Sequence, residues 1–328
     1  MRILYAFQGT GNGHLSRARD VIPLVRQFGE VDILVSGTEL DLALPWEPTY
    51  RLTGISFKYN QSGGLDYWAT LQNLNLVQFI RDIYTLDLGK YDLILNDFEP
   101  ISAWAAKLKK RRIIGLSHQA AFLSKKTPRP AKKDLIAEFL FRYFAPVTVY
   151  RAFHFQQYDT HIYPPVIREE VRKLVPISTN RVVVYLPAYA DDFLQALFQN
   201  FPEFEFTVFS KYAKSVVVNG NISIQPIHND NYLKMLESCY GLITGGGFEA
   251  PAEALYLGKR VLCVPIAGQY EQLANSVAAV RIGATYLVRL DHDKISHIRD
   301  WLENSAPHRV EFPQLLPQIV AEICSKKP

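Results

Sequence analysis

Little in this chain could staple or anchor it. Its three cysteines, Cys239, Cys263 and Cys324, are odd in number, widely spaced and each set in apolar sequence, which argues against a disulfide framework and against a zinc site. They read as core residues. No apolar run approaches the roughly 18 residues that a membrane-spanning helix needs. The N-terminal Met-Arg-Ile-Leu-Tyr-Ala-Phe lacks the basic head, apolar middle and small-residue cleavage site of a secretory signal, so the expected location is the cytoplasm. Charge is sparse as well. With 21% charged residues and a formal net charge of +4, nothing in the bulk points to nucleic acid as a partner. Internal repeats and low-complexity tracts are absent.

What is present describes a globular α/β protein. The 328 residues, 48% of them hydrophobic, exceed the length of about 250 at which a single core usually stops growing, so two domains are expected. Arg2 to Phe7 is rich in β-formers, Gln8 to Gly13 is a glycine loop, Leu15 to Phe28 has helical spacing and Val31 to Val35 is a second strand. That opening predicts a parallel, doubly wound sheet. The loop reads Gly9-Thr10-Gly11-Asn12-Gly13-His14, with histidine where dinucleotide enzymes carry glycine, and the second strand ends Val35-Ser36-Gly37 without an acidic residue. Both points weigh against NAD. Strands Leu93 to Asn96 and Ile113 to Leu116 end in Asp97-Phe98-Glu99-Pro100 and Ser117-His118-Gln119. Ligands of doubly wound sheets bind beyond the carboxyl ends of the strands, which puts Asp97, Glu99 and His118 in the functional layer, although Glu99 fits a helix cap better. The stretch Phe57 to Trp68 and a helix over Leu71 to Leu86 are expected to shape an acceptor side.

A proline-stiffened link, Tyr163-Pro164-Pro165-Val166-Ile167-Arg168, precedes a second α/β run: strand Arg181 to Leu186, helix Ala190 to Asn200, strands Glu205 to Phe209 and Ile222 to Gln225, and helix Asn231 to Ser238. This leads into the densest pattern, Gly241 to Asn275. A buried strand, Gly241 to Thr244, runs into Gly245-Gly246-Gly247 and then into a helix bearing Glu249 and Glu253. Glycines permit a sharp turn and close backbone approach, and the helix start offers unpaired N–H groups and partial positive charge, which suits a phosphate. Glu253 lies four residues after Glu249 and so on the same side, within reach of a sugar hydroxyl pair; the helix dipole alone would also favour glutamates here. Beyond the strand Arg260 to Pro265, the loop Ala267 to Gln272 and Asn275 offer amide and carboxylate groups to a second polyhydroxyl moiety.

These motifs together resemble the donor-binding half of GT-B glycosyltransferases, in which Gly246-Gly247, Glu253-Ala254-Leu255, Gly258-Lys259-Arg260-Val261-Leu262-Cys263-Val264-Pro265 and Glu271-Gln272-Leu273-Ala274-Asn275 match recurring elements in order. Gly11-Asn12-Gly13-His14 is similar to the glycine–histidine loop that faces the cleft of that family. The pattern is nearest to the family 28-like, MurG-type transferases, except that Leu186-Pro187-Ala188 stands where those carry a Gly-Gly-Ser phosphate turn. The resemblance implies two Rossmann-like domains facing a cleft, residues 1–162 and 163–307, with residues 308–328 returning to the first. It implies an inverting transferase using a nucleotide sugar, UDP-linked by expectation, such as UDP-N-acetylglucosamine, with no metal or bound cofactor. The acceptor would be a glycan or a lipid-linked molecule. His14, then Asp97 or His118, would deprotonate it. On the donor side, Gly11 and Gly13 would face the cleft and Ile227 and His228 would hold the base. Gly245, Gly246, Gly247 and Phe248 at the helix start would hold the diphosphate. Glu253, with Glu249 beside it, would bind the ribose, and Glu271, Gln272 and Asn275 would orient the sugar. A sugar-nucleotide 2-epimerase and a non-catalytic nucleotide-sugar-binding protein are the alternatives.

Elsewhere, Lys107 to Arg112 reads KLKKRR and Lys125 to Lys133 reads KKTPRPAKK, just before an aromatic helix candidate, Asp134 to Phe144. Such a basic region is ordinarily a solvated face, yet it also suits an anionic membrane surface, where each Lys or Arg adds roughly 1 kcal/mol. Lys211 follows a strand and is expected at the surface, Asp291 is expected to cap a helix to about Glu303, and Pro307 and Pro313 bracket a final helix, Gln314 to Ser325.

Overall fold

The computed structural model describes residues 1–10, 12–39, 45–55, 58–59, 65–66, 70, 72 and 74–325. Gly11 of the expected donor set and most of Phe57 to Trp68 lie outside the described residues. The first half runs β1 (Arg2–Thr10), α1 (Asn12–Val25), β2 (Glu30–Glu39), β3 (Tyr50–Leu52), β4 (Lys58–Tyr59), β5 (Leu65–Asp66), α2 (Leu76–Thr85), β6 (Leu93–Asp97), α3 (Pro100–Leu108), β7 (Ile114–Ser117), α4 (Leu135–Tyr143), β8 (Val149–Phe153) and β9 (Ile162–Tyr163). Its main sheet has the order β3-β2-β1-β6-β7-β8-β9, with parallel neighbours throughout. β4 and β5 form a separate antiparallel pair.

The second half runs α5 (Glu169–Arg172), β10 (Arg181–Tyr185), α6 (Asp191–Phe198), β11 (Glu205–Ser210), β12 (Val217–Asn219), β13 (Ile222–Pro226), α7 (Asn229–Ser238), β14 (Gly241–Thr244), α8 (Glu249–Tyr256), β15 (Arg260–Cys263), α9 (Tyr270–Val280), β16 (Thr285–Tyr286), α10 (Ile295–Asn304) and α11 (Leu316–Ser325). The second sheet has the order β12-β13-β11-β10-β14-β15-β16, parallel except for the edge strand β12. Parallel strands need crossover helices on both faces, so the central strands are buried on both sides and largely apolar. Val182, Val183 and Val184 of β10 are all fully buried. On β1, Ile3, Tyr5 and Phe7 face α1, whereas Leu4 and Ala6 face the layer of α2 and α3.

Strand order reverses beside β1 and β6 in one sheet and beside β10 and β14 in the other, and ligands of open α/β sheets collect at such switch points. Both crevices open toward the cleft between the sheets. The returning helix is α11: Ile319, Val320 and Ile323 share a cluster with Val21, Ile22 and Val25 of α1, and Arg151 donates to Glu322 at 2.9 Å.

Local departures from the sequence pattern have simple causes. β1 continues to Thr10 by pairing with β2 across a register shift, which shortens the glycine loop and puts His14 in the first turn of α1. β9 and β12 are too short to show a period. Glu99 is a helix cap, its carboxylate accepting from the N–H groups of Ile101 at 2.8 Å and Ser102 at 2.6 Å. Asp291, expected to cap, makes no capping bond, and a 3-10 turn, His292–Lys294, separates it from α10. Cys239 and Cys263 are free and buried.

Candidate active site

Two strand–turn–helix units face one another across the cleft. On the N-terminal side, Phe7 and Asp97 are paired across β1 and β6, so the first turn of α1 lies over the end of β6. His14 Nδ1 sits 2.8 Å from Asp97 Oδ1. One turn further along α1, Arg17 Nη1 donates to both Asp97 oxygens at 2.8 Å. Burial alone would raise the Asp97 carboxyl, but the charges of Arg17 and His14 outweigh it and hold Asp97 below its ordinary range. Sequence position left His14 and Asp97 as rivals; they are one hydrogen-bonded pair. Phe98, immediately after Asp97, has a φ of 56°, which is uncommon for a bulky residue and costs roughly 1–3 kcal/mol. Its ring lies parallel to that of His14, with centroids 6.5 Å apart.

On the C-terminal side, β14 enters the turn Gly245-Gly246-Gly247 and α8 leaves it. None of the three glycines takes a positive φ. Crowding explains Gly246 instead, since a Cβ there would lie 2.2 Å from the Gln272 carbonyl oxygen and 2.6 Å from Ser276 Oγ. The Gly246 N–H donates to Gln272 Oε1 at 3.2 Å, and the Ile266 N–H donates to the same oxygen at 3.0 Å. The Gly246 N–H is therefore already engaged and the Gln272 amide oxygen stitches two loops together, while Gln272 still borders the adjoining cavity. No side chain caps α8, which leaves its first-turn N–H groups to whatever fills the adjoining space.

That space is a cavity of about 410 Å³. Gly245, Gly247, Phe248, Glu249 and Glu253 line it from α8 and its turn, Ile227 and His228 from the start of α7, and Gly13 and Ser16 from α1. Tyr185, Phe209 and Tyr232 form an aromatic wall, and Pro187, from the departing Leu186-Pro187-Ala188 segment, also borders it. Lys211 is exposed and stacks on Tyr212 instead.

Charged and polar pairs tie the two sides together. Arg17 Nη2 donates to Glu249 Oε1 at 2.5 Å, so one guanidinium joins Asp97 and Glu249 across the cleft. Arg168 from the link grips Glu253 with a two-point fork, 2.5 Å and 2.9 Å. Each Glu253 oxygen keeps a further lone pair for a ligand. Gln119 donates to Glu271 at 3.0 Å. Burial, reinforced by the charge of Glu249, pushes the Glu271 carboxyl up to about 7 against the pull of His14 and Gln119, although 34% of that side chain still meets solvent.

His118 departs from the catalytic role expected of it. It is 1% exposed, its ring stacks on Phe248 at 3.9 Å, and Nδ1 and Nε2 lie 2.9 Å from the Phe153 carbonyl and 2.9 Å from Asn275 Oδ1. Burial lowers its pKa to about 4, so the ring is neutral near pH 7. A neutral ring has one N–H, so one of those contacts needs Asn275 to present its amide nitrogen. His118 and Asn275 thus pin the two domains together. Arg17 and Arg168 escaped the sequence pattern. Arg17 was within reach, three residues from His14 and hence on the same helical face; Arg168 meets Glu253 only through tertiary folding. Among the described residues, no group of three or more His, Cys, Asp or Glu is placed to hold a metal ion.

The sequence matches the family model described as glycosyl transferase family 1 over residues 1–305. The chain belongs to that family. No curated protein matches it by sequence. Among solved structures, Acinetobacter baumannii MurG aligns at 15% identity and a TM-score of 0.59, covering 99% of this chain and 99% of that one. The glycosyltransferase SnogD from Streptomyces nogalater aligns at 15% and 0.55, covering 100% and 96%. S. aureus MnaA, solved with UDP, aligns at 13% and 0.59, covering 100% and 99%. At such identities the likeness concerns the fold, and it is the two-domain GT-B arrangement.

Proposed function

We propose that this glycosyltransferase moves a sugar from a UDP-sugar to an acceptor hydroxyl with inversion, the donor occupying the cavity between α1 and α8. The supporting observation is that Gly13, next to the His14–Asp97 pair, and Gly247, at the start of α8, border one cavity. In this reading the nucleoside lies against Ile227 and the aromatic wall, its ribose hydroxyls donate to Glu253, and the diphosphate meets the first-turn N–H groups of α8. His14 Nε2 takes the acceptor proton while Asp97 holds Nδ1. The acceptor oxygen then bonds to the anomeric carbon from the face opposite the donor phosphate, and the anomeric carbon–oxygen bond breaks with its electron pair passing to the diphosphate. Fixed helix-end dipoles stabilise that developing charge without reorganising. Glu271 is assigned to the donor-sugar end, Asn275 being buried against His118 instead, and the acceptor is a glycan or a lipid-linked molecule.

A thermal-shift panel of UDP-, GDP- and dTDP-sugars tests the donor class. A ligand at a hundred times its Kd adds about 2.7 kcal/mol of stability, so UDP-sugars should raise the melting temperature and the others should not. Product analysis after incubation with UDP-N-acetylglucosamine alone separates transfer from epimerisation, since an epimer would contradict the proposal.

A further inference from the structure

The edge of the N-terminal domain beside the 265–270 loop carries a feature that the proposed sugar transfer does not use. α4 buries Ala137 and Phe141 but leaves Leu135 79%, Ile136 58%, Phe139 59% and Tyr143 40% exposed. Their spacing gathers them on one side of the helix, and the rings of Phe139 and Tyr143 touch, with centroids 4.6 Å apart. α2, which packs on the same core layer, turns Leu76, Val77, Ile80 and Tyr84 outward with the same spacing. Single exposed apolar residues are ordinary, whereas contiguous ones mark an interaction surface.

Charge decides what covers the α4 ridge. Lys132, Lys133 and Arg142 are exposed around it. The carboxylates on α4 are engaged inward: Asp134 accepts from the N–H groups of Ile136 and Ala137, and Glu138 is held by Arg129 and the Tyr270 hydroxyl. The remainder is an apolar ridge with a cationic rim, the complement of acyl chains beneath anionic headgroups. The longer basic region divides on inspection. Lys109 donates to the carbonyls of Tyr84 and Leu86, Arg111 to that of Tyr91, and Lys126 pairs with Asp159, so those cations fasten the fold. Behind Leu135 and Ile136 a groove of about 500 Å³ runs between α4 and the 265–270 loop, and its wall residue Ile266 also borders the donor cavity. Among the described residues no helix is long and apolar enough to cross a membrane.

We propose that α4, with Lys132, Lys133 and Arg142, docks this protein onto an anionic lipid bilayer, and that the adjoining groove brings a membrane-borne acceptor toward the donor cavity. The docking step deepens the transferase reading but stands without it. Co-sedimentation of the full chain with vesicles tests it. The protein should pellet with phosphatidylcholine–phosphatidylglycerol vesicles, remain in solution with phosphatidylcholine alone, and release as salt rises. Phe139→Ser and Leu135→Ser should each weaken binding roughly tenfold or more, and Lys132→Gln or Lys133→Gln about fivefold. Because these side chains are exposed, each variant should keep the wild-type melting temperature and UDP response. A wild type that stays in solution with anionic vesicles, or serine variants that pellet as wild type does, would overturn the docking proposal. So would a dimer dissolved by Phe139→Ser without any vesicle binding, which would assign the ridge to a second copy. Vesicle binding without a UDP response would instead leave docking intact and remove the transferase reading.

Discussion

The β1–α1 and β14–α8 units share one plan, a buried strand ending at a switch point and a helix leaving it, yet they supply opposite chemistry. The β14–α8 unit leaves its first-turn N–H groups open and carries Glu249 and Glu253 along the helix. The β1–α1 unit fills the same location with side chains: His14, Arg17 and, from the neighbouring strand, Asp97. In the proposed mechanism the open helix start receives the diphosphate, whereas the side-chain triad handles the acceptor proton. Arg17 spans both, so the division of labour is held in register by one buried guanidinium.

If this division is real, His14→Ala should lower turnover by about 10²–10⁴-fold while the donor Michaelis constant changes little; equal losses in both constants would blur the two roles. Asp97→Ala should cost about 3 kcal/mol of stability in a denaturant titration, the low end for breaking a buried ion pair, because Arg17 loses its two-point partner and keeps only Glu249. A loss under 1 kcal/mol would mean that Arg17 finds another partner.

Within the glycine turn the contrast sharpens. Gly246→Ala must displace the Gln272 carbonyl and should cost roughly 1–3 kcal/mol, while Gly247→Ala meets nothing within 4 Å and should be nearly neutral for folding. Equal costs would reject the crowding argument.

The smallest effect is a pH dependence. Glu271 sits above the ordinary carboxylate range, so it favours the fold while protonated, and that contribution fades as pH rises toward about 7. Relative to Glu271→Gln, the wild-type melting temperature should therefore fall between about pH 5 and pH 8; a parallel pair of curves would remove the shift.

Much of this was readable in the chain because sequence marks where strands end. His14, Asp97 and the glycines before α8 all follow apolar runs, and doubly wound sheets place such residues in one layer. Sequence does not show which way a side chain turns or how deep it lies. Gln272 belongs to a recognisable motif, yet its amide oxygen faces backbone N–H groups. His118 follows a strand as Asp97 does, but Phe248 from the other domain covers it. The Arg168–Glu253 fork joins residues 85 positions apart, beyond any local period.

Calorimetric titration of UDP into wild type, His14→Ala and Glu253→Gln bears most directly on the shared cavity. Wild type and His14→Ala should bind with similar affinity, and Glu253→Gln should bind about tenfold to a hundredfold more weakly, the worth of a charged hydrogen bond at roughly 1.5–3 kcal/mol. Undiminished UDP binding by Glu253→Gln, or its loss in His14→Ala alone, would contradict the assignment of binding to one side of the cleft and proton transfer to the other.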